Sequence, residues 1–182
     1  MKNAIVIIIG LLMSLHLNAQ KYFTRTGTTQ FEASEKVFEP VEATNKSTTA
    51  IFNTKTGAVA TQVFMAGFQF KNALMQEHFN ENYMDSSKYP KATFSGNIQN
   101  FSFEELSDYQ KEHKIHGVLT IRGIEKEITI SCRIKKIKNG LSLKTNFNVF
   151  ASDFEIKIPK VVRNKISQEI NITAEYDLIE KL

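Results

Sequence analysis

The chain has 182 residues, 23 of them basic and 19 acidic, for a formal charge of +4. The charges are interspersed, and the densest basic run, Arg133 to Gly140, carries no aromatic platform, so no nucleic-acid partner is expected. A single cysteine, Cys132, excludes an intrachain disulfide, and the length suits one domain with a substantial core.

The first residues, "MKNAIVIIIGLLMSLHLNAQ", place one cation (Lys2) before an apolar stretch from Ala4 to Leu15, with a small residue, Ala19, preceding Gln20. That is the order of a secretory signal, and the apolar stretch falls short of the roughly 20 residues a spanning helix needs. Residues 1–20 are therefore expected to be a signal peptide, leaving 21–182 as one exported domain without a stable membrane anchor. An uncleaved anchor is the alternative, because Leu17 is a poor minus-three residue for cleavage. No cysteine closes the apolar stretch, which excludes a lipoprotein anchor. The expected destination is the periplasm, with secretion as the alternative.

Period-two alternation dominates the chain from Lys21 onward. Faint strands are expected at Tyr22 to Thr26, Thr29 to Ala33, Phe38 to Asn45 and Thr49 to Asn53. In "GAVATQVFMAGFQF", Val59, Thr61, Val63 and Met65 share one face, while Phe68 and Phe70 have the other parity. A bulge at Ala66-Gly67 would swing both phenylalanines inward. The next segment breaks the pattern. Asn72 can cap a helix, Met75, Phe79 and Tyr83 stand at i, i+4 and i+8, Leu74 and His78 flank that stripe, and Pro90 forces an extended exit. This spacing predicts an amphipathic helix of about three turns covering something apolar.

Alternation then resumes. Phe94 and Ile98 face one way in "KATFSGNIQNF", followed by a polar stretch, Glu104 to Lys114, expected as an exposed loop. Leu119 and Ile121 precede a turn at Arg122-Gly123, and Ile128, Ile130, Cys132 and Ile134 share a face before Asn139-Gly140, a strong hairpin signal. Leu143, Thr145, Phe147 and Val149 continue the pattern, as do Ile170, Ile172, Ala174, Tyr176 and Leu178. Eight or more short strands wet on one face predict an all-β, antiparallel closed barrel or sandwich. Cys132 reads as a small core residue within this set.

The stretch Met75 to Phe94, with its Glu77-His78-Phe79 and Lys88-Tyr89-Pro90-Lys91-Ala92-Thr93-Phe94 elements, resembles the YceI-like family. The resemblance continues at "GVLTIRGIEKEITI" and at "FNVFASDFEIKIPKVV", in the family's order, and spans about Tyr22 to Leu178. The front departs from it, since family members begin with a Trp-led strand and this chain has no tryptophan. The resemblance implies a single lipocalin-like barrel of about eight strands with one short helix over an end. It also implies a function: carriage of a long-chain isoprenoid or similar amphiphilic lipid in the lumen. Each methylene withdrawn from water contributes about 0.8 kcal/mol, so a long tail needs no salt bridge or metal. The expected lining is Val63, Met65, Phe68, Phe70, Phe94, Leu119, Ile121 and Phe147, with Met75, His78 and Phe79 reaching down from the helix. A small-molecule lipid is the expected partner, and the chain would act as a monomer or homodimer. The rival reading is an exported barrel with a solid interior that meets another protein through its outer surface, because a filled barrel produces the same alternation.

Little catalytic chemistry is legible. His113-x-x-His116 has no third ligand at metal-site spacing, and there is no His-Glu-x-x-His, Gly-x-Ser-x-Gly or phosphate loop. Asp153 reads as a turn residue. His78 beside Glu77 could form an acid–base pair acting on a bound lipid, a distant third reading. No catalytic residue, metal or cofactor is therefore expected, and the protein is read as a binding protein and not an enzyme.

Overall fold

The computed structural model describes residues 20–35 and 40–181. The expected signal segment through Ala19 lies outside them, as does Phe38. The described residues form strands β1 (Lys21–Ser34), β2 (Glu42–Asn53), β3 (Ala58–Phe64) and β4 (Gln69–Phe70), then helix α1 (Ala73–His78). Strands β5 (Lys91–Ile98), β6 (Lys111–Ile121), β7 (Ile124–Ile137), β8 (Gly140–Phe150) and β9 (Ile166–Glu180) complete the order.

All pairings are antiparallel. The ladder runs β1-β9-β8-β7-β6-β5-β3-β2, and β2 pairs back onto β1, so eight strands close a barrel with no free edge. Strand β4 is a short extension that pairs with the start of β2, where Ala43 faces Phe70. The all-β barrel expected from the alternation and the family resemblance is what forms. The apolar parity of β6 to β9 becomes the inner face, with Phe94 opposite Leu119, Ile134 opposite Leu143, and Leu143 opposite Tyr176.

The first half is where the sequence reading needs correcting. Four short strands are in fact two long ones. In β1, Thr24 is buried, but so are Gly27, Thr29 and Ala33, which have the opposite parity. In β2 the inward set changes from Ala43 and Asn45 to Thr48, Ala50 and Phe52. The two changes sit side by side, because the β1–β2 register slips around the Gly27–Thr48 pair. A bulge that shifts the phase of both partners reads, in sequence, as two breaks.

The expected bulge at Ala66-Gly67 is a 3-10 turn, Met65–Gly67, that ends β3 and launches β4. Phe68 is buried and Phe70 half-buried, both on the cavity inside the barrel, while Phe64 is turned outward. Asn45 holds this corner. Its fully buried side chain donates from Nδ2 to the Phe64 carbonyl at 2.9 Å, and its Oδ1 accepts from the Ser47 backbone N–H at 2.8 Å. Asn45→Ala removes a buried side chain and the two hydrogen bonds it makes at the corner, and is expected to cost about 2 kcal/mol, read as a lower urea midpoint at unchanged m-value.

The turn at Arg122-Gly123 forms as expected, with both residues at positive φ (55° and 77°). The β7–β8 hairpin also forms, but its turn residues are Lys138 and Asn139, and Gly140 already pairs with Ile137. The Glu104 to Lys114 segment is not simply an exposed loop. Leu106 is buried at 3% exposure, the Lys136 N–H donates to the Ser107 carbonyl at 2.8 Å, and Lys111 to Lys114 belong to β6. Phe101 sits edge-on to Phe52 at 5.1 Å, and Phe103 lies 6.3 Å from Tyr22. This loop therefore stoppers one end of the barrel.

Candidate functional site

Two apolar clusters fill the barrel unequally. The larger includes Phe52, Ile98, Leu106, Ile134, Leu141 and Leu178 and packs the stoppered end solidly. The smaller gathers Ala43, Met65, Phe68, Met84 and Ala92 near the helix, and Ile121 and Ile156 touch both. A cavity of about 470 Å³ lies along the axis, lined by residues of both clusters. Voids in a close-packed interior rarely exceed a water molecule, whereas small-molecule pockets run roughly 300–1,000 Å³. The barrel is hollow.

Its long dimension comes from the strands. The lining on β9 runs from Ile166 through Ile170, Ile172 and Ala174 to Tyr176 and stops before Leu178. At about 3.3 Å per residue and a strand tilt near 40°, that wall is roughly 25 Å deep. On β5 the ring of Phe94 lies over the facing glycines Gly96 and Gly117, where a Cβ would stand 2.8 and 2.9 Å from its Cζ. Side chains there would collide with the facing backbone, the His116 and Ser95 carbonyls, as well as with the Phe94 ring.

The structure places every lining residue expected from the sequence on this one cavity. Val63, Met65, Phe68 and Phe70 come from β3, the corner turn and β4; Phe94 comes from β5, Leu119 and Ile121 from β6, and Phe147 from β8. Met75, His78 and Phe79 reach it from the helical segment.

That segment begins as expected. The Asn72 side chain accepts from Leu74 N–H at 2.9 Å and Met75 N–H at 3.4 Å, satisfying donors that a helix start leaves open. After His78 the helix widens into a π turn, Phe79–Tyr83, with the Met84 N–H donating to the Phe79 carbonyl at 2.9 Å. The extra residue per turn brings Met84 onto the inner face, where it is buried beside Phe79 and Tyr83. Phe79 is the anchor. Its ring stacks on Phe31 at 5.2 Å and meets Phe70 at 5.2 Å and Phe68 at 5.7 Å. These four rings close the mouth from the helix side. On the other side stands the segment between β8 and β9, which contributes Ile156, Ile158, Val162 and Lys165.

Several lining groups escape a reading of the sequence. Phe31 is visible only as part of a faint strand. Met84 depends on the π turn, which the i, i+4 spacing does not signal. Ile156 and Ile158 alternate correctly, but Pro159 succeeds them and no strand forms there. Thr29 and Thr48 line the deep cavity as polar residues on an inward face, so a hydrophobicity pattern passes over them, whereas Thr61 already stands in the inward set with Val59 and Val63. Beside them burial pushes the Tyr176 phenol up, while hydrogen bonds from Thr29 and Thr61 pull the other way.

The remaining titratable candidates lie elsewhere. His113 and His116 are three apart on β6 and so face opposite sides of the sheet. His113 packs 6.3 Å from Phe101, and burial holds its imidazole below the usual range. His116 is exposed and pairs through Nδ1 with Thr129 Oγ1 at 3.0 Å. Glu77 and His78 are adjacent on a helix and do not face one another. Asp153 lies exposed in a 3-10 turn, 4.0 Å from Lys126 Nζ. Burial pushes the Cys132 thiol up to about 12, which leaves only a trace of thiolate at neutral pH.

The geometry has counterparts among known proteins. In structure the chain is similar to a polyisoprenoid binding domain from Saccharophagus degradans implicated in plant cell wall breakdown, with a TM-score of 0.74 and 12% identity over 88% of this chain and 97% of that one. It is also similar to BcnA of Burkholderia cenocepacia, with a TM-score of 0.67 and 17% identity over 85% and 96% of the two chains. The YceI protein of Campylobacter jejuni is similar at a TM-score of 0.63 and 19% identity, over 80% and 87%. No curated protein matches the chain. Identities this low carry the fold alone. The sequence pattern of the YceI-like domain, however, matches residues 20–178, from the first barrel strand to the last with the helix between them, and the chain belongs to that family.

Proposed function

We propose that the barrel binds and carries a long-chain amphiphilic lipid, an isoprenoid or a similar molecule, in the periplasm, without catalysing a reaction. The observation that carries this reading is the cavity of about 470 Å³, deep, walled by apolar side chains and roofed by an aromatic cluster. The rival reading, a solid barrel that works through its outer face, gives no reason for such a volume, since an unfilled interior forfeits packing energy. The name of one structural neighbour, a polyisoprenoid binding domain, supports the ligand class. The signal-like order of the first residues supports export.

In this reading Val63, Met65, Phe68, Phe70, Phe94, Leu119, Ile121 and Phe147 grip the chain, and Met75, His78 and Phe79 cover it. Methionine and phenylalanine suit the task, because both adapt to an irregular alkyl surface. The cavity is complete within one chain, so a monomer suffices. Organic extraction of protein purified from the periplasm of its own host, with mass spectrometry of the extract, is expected to yield a long-chain lipid near one per chain. Protein that yields no lipid and takes up no added isoprenoid would overturn the reading.

A further inference from the structure

The blind end of the cavity is polar on one wall, which an apolar tail alone does not explain. Thr29 on β1, Thr48 on β2, Thr61 on β3 and Tyr176 on β9 sit on four neighbouring strands, and all four line the cavity. Thr29 Oγ1 stands 2.8 Å from Thr48 Oγ1 and 3.4 Å from the Tyr176 hydroxyl, and Thr61 lines the cavity beside them. Thr29, Thr48 and Tyr176 are each more than nine-tenths buried. Further along the same strands Phe52 and Leu178 fill the barrel, so these hydroxyls form its floor.

Valine would suit a strand and an alkyl ligand as well as threonine does. Burying a hydroxyl instead costs free energy unless it is hydrogen-bonded. Each hydroxyl brings one proton, and the two links among Thr29, Thr48 and Tyr176 use two of their three protons. One proton is left for an acceptor outside the cluster. Gly27 fixes the phenol in place: a Cβ there would stand 2.5 Å from Tyr176 Cδ1, so its absence lets the ring lie against β1. The floor has no formal charge. Among the described lining residues the formally charged side chain is Lys165, at the opposite end of β9.

We propose that this floor is a subsite for an uncharged hydrogen-bond acceptor, the carbonyl oxygen of an amide, ester or ketone, carried on the end of the bound chain that enters first. The inference rests on the carriage reading and sharpens it, because it selects among ligands of equal length by their inner end. A charged group is excluded from the floor by the apolar walls of Val59, Ile115, Ile130 and Leu143, which offer it no counter-charge.

The test is displacement of a fluorescent fatty probe by two ligands of matched length, octadecanamide and octadecane. The protein is expected to prefer the amide by about tenfold, the scale of one buried hydrogen bond. Tyr176→Phe and Thr48→Val are each expected to abolish that preference, read as the ratio of amide to octadecane affinity within each variant. The second variant keeps the test open should the first fail to fold. Equal affinity for both ligands in the unmodified protein, or a preference that survives both substitutions, would overturn the subsite and leave carriage standing. Failure of both ligands and of the probe to bind would overturn carriage, and the subsite with it.

Discussion

Phe79→Ala is expected to speed the exchange of a bound lipid about a hundredfold while leaving the barrel folded. Phe79 is the helical residue that packs on Phe31, Phe68 and Phe70, and among the described aromatic contacts no other side chain ties the helix to all three rings. Aromatic pairs contribute roughly 0.5–1.5 kcal/mol each, so the anchor holds the helix down by about 3 kcal/mol. Every 1.4 kcal/mol is about tenfold in population, which sets the size of the change. The eight-strand ladder closes without the helix, because β2 pairs directly with β1. Stopped-flow release of a preloaded fluorescent lipid and a urea titration together decide the outcome. Rapid release with a small shift in midpoint identifies the helix as a lid. Unchanged release with a large fall in global stability identifies it as structural cover.

Ala174→Phe should weaken long-chain binding more than a hundredfold and barely affect short chains. Ala174 lines the cavity between Ile172 and Tyr176, far below the mouth. A benzyl group there occupies the space of about four methylenes, and at about 0.8 kcal/mol each the loss is near 3 kcal/mol. In a solid core the same substitution would overpack and cost about 1–3 kcal/mol of stability. In a hollow barrel the ring enters existing space, so the thermal midpoint should move little. Affinities measured along a series of increasing chain length would show the wild-type protein gaining steadily and the variant levelling off early. A parallel rise in both proteins would show that the chain does not extend past Ala174.

The second half of the fold is legible in the sequence because nothing there disturbs period-two alternation. Strands β6 to β9 pair in even register, so Leu119, Ile130, Cys132, Leu143 and Tyr176 are on the inner face in sequence and in space alike. The first half is harder because the β1–β2 bulge changes parity in both partners at once, and a pattern that assumes constant phase counts each strand twice. The lining named from sequence lies on one cavity because inward parity and lumen-facing are the same condition in a barrel. The hydroxyl floor is legible only in part: Thr61 and Tyr176 stand in the inward sets, but Thr29 and Thr48 carry no hydrophobic signal, and the grouping joins residues far apart in the chain, Thr29 and Tyr176 being 147 residues apart.

By itself the sequence determined the alternation, the turn at Arg122-Gly123, the cap at Asn72 and the stripe of Met75, Phe79 and Tyr83, all of which are local consequences of backbone sterics and side-chain period. Whether the inward faces meet or stand apart is not a local property. A filled and a hollow barrel share every one of those patterns, and only strand number, tilt and the long-range pairing of β1 with β2 set the radius. Tertiary closure decided that radius, and with it that Phe94, Leu119 and Phe147 border a space where a solid core would have placed other side chains.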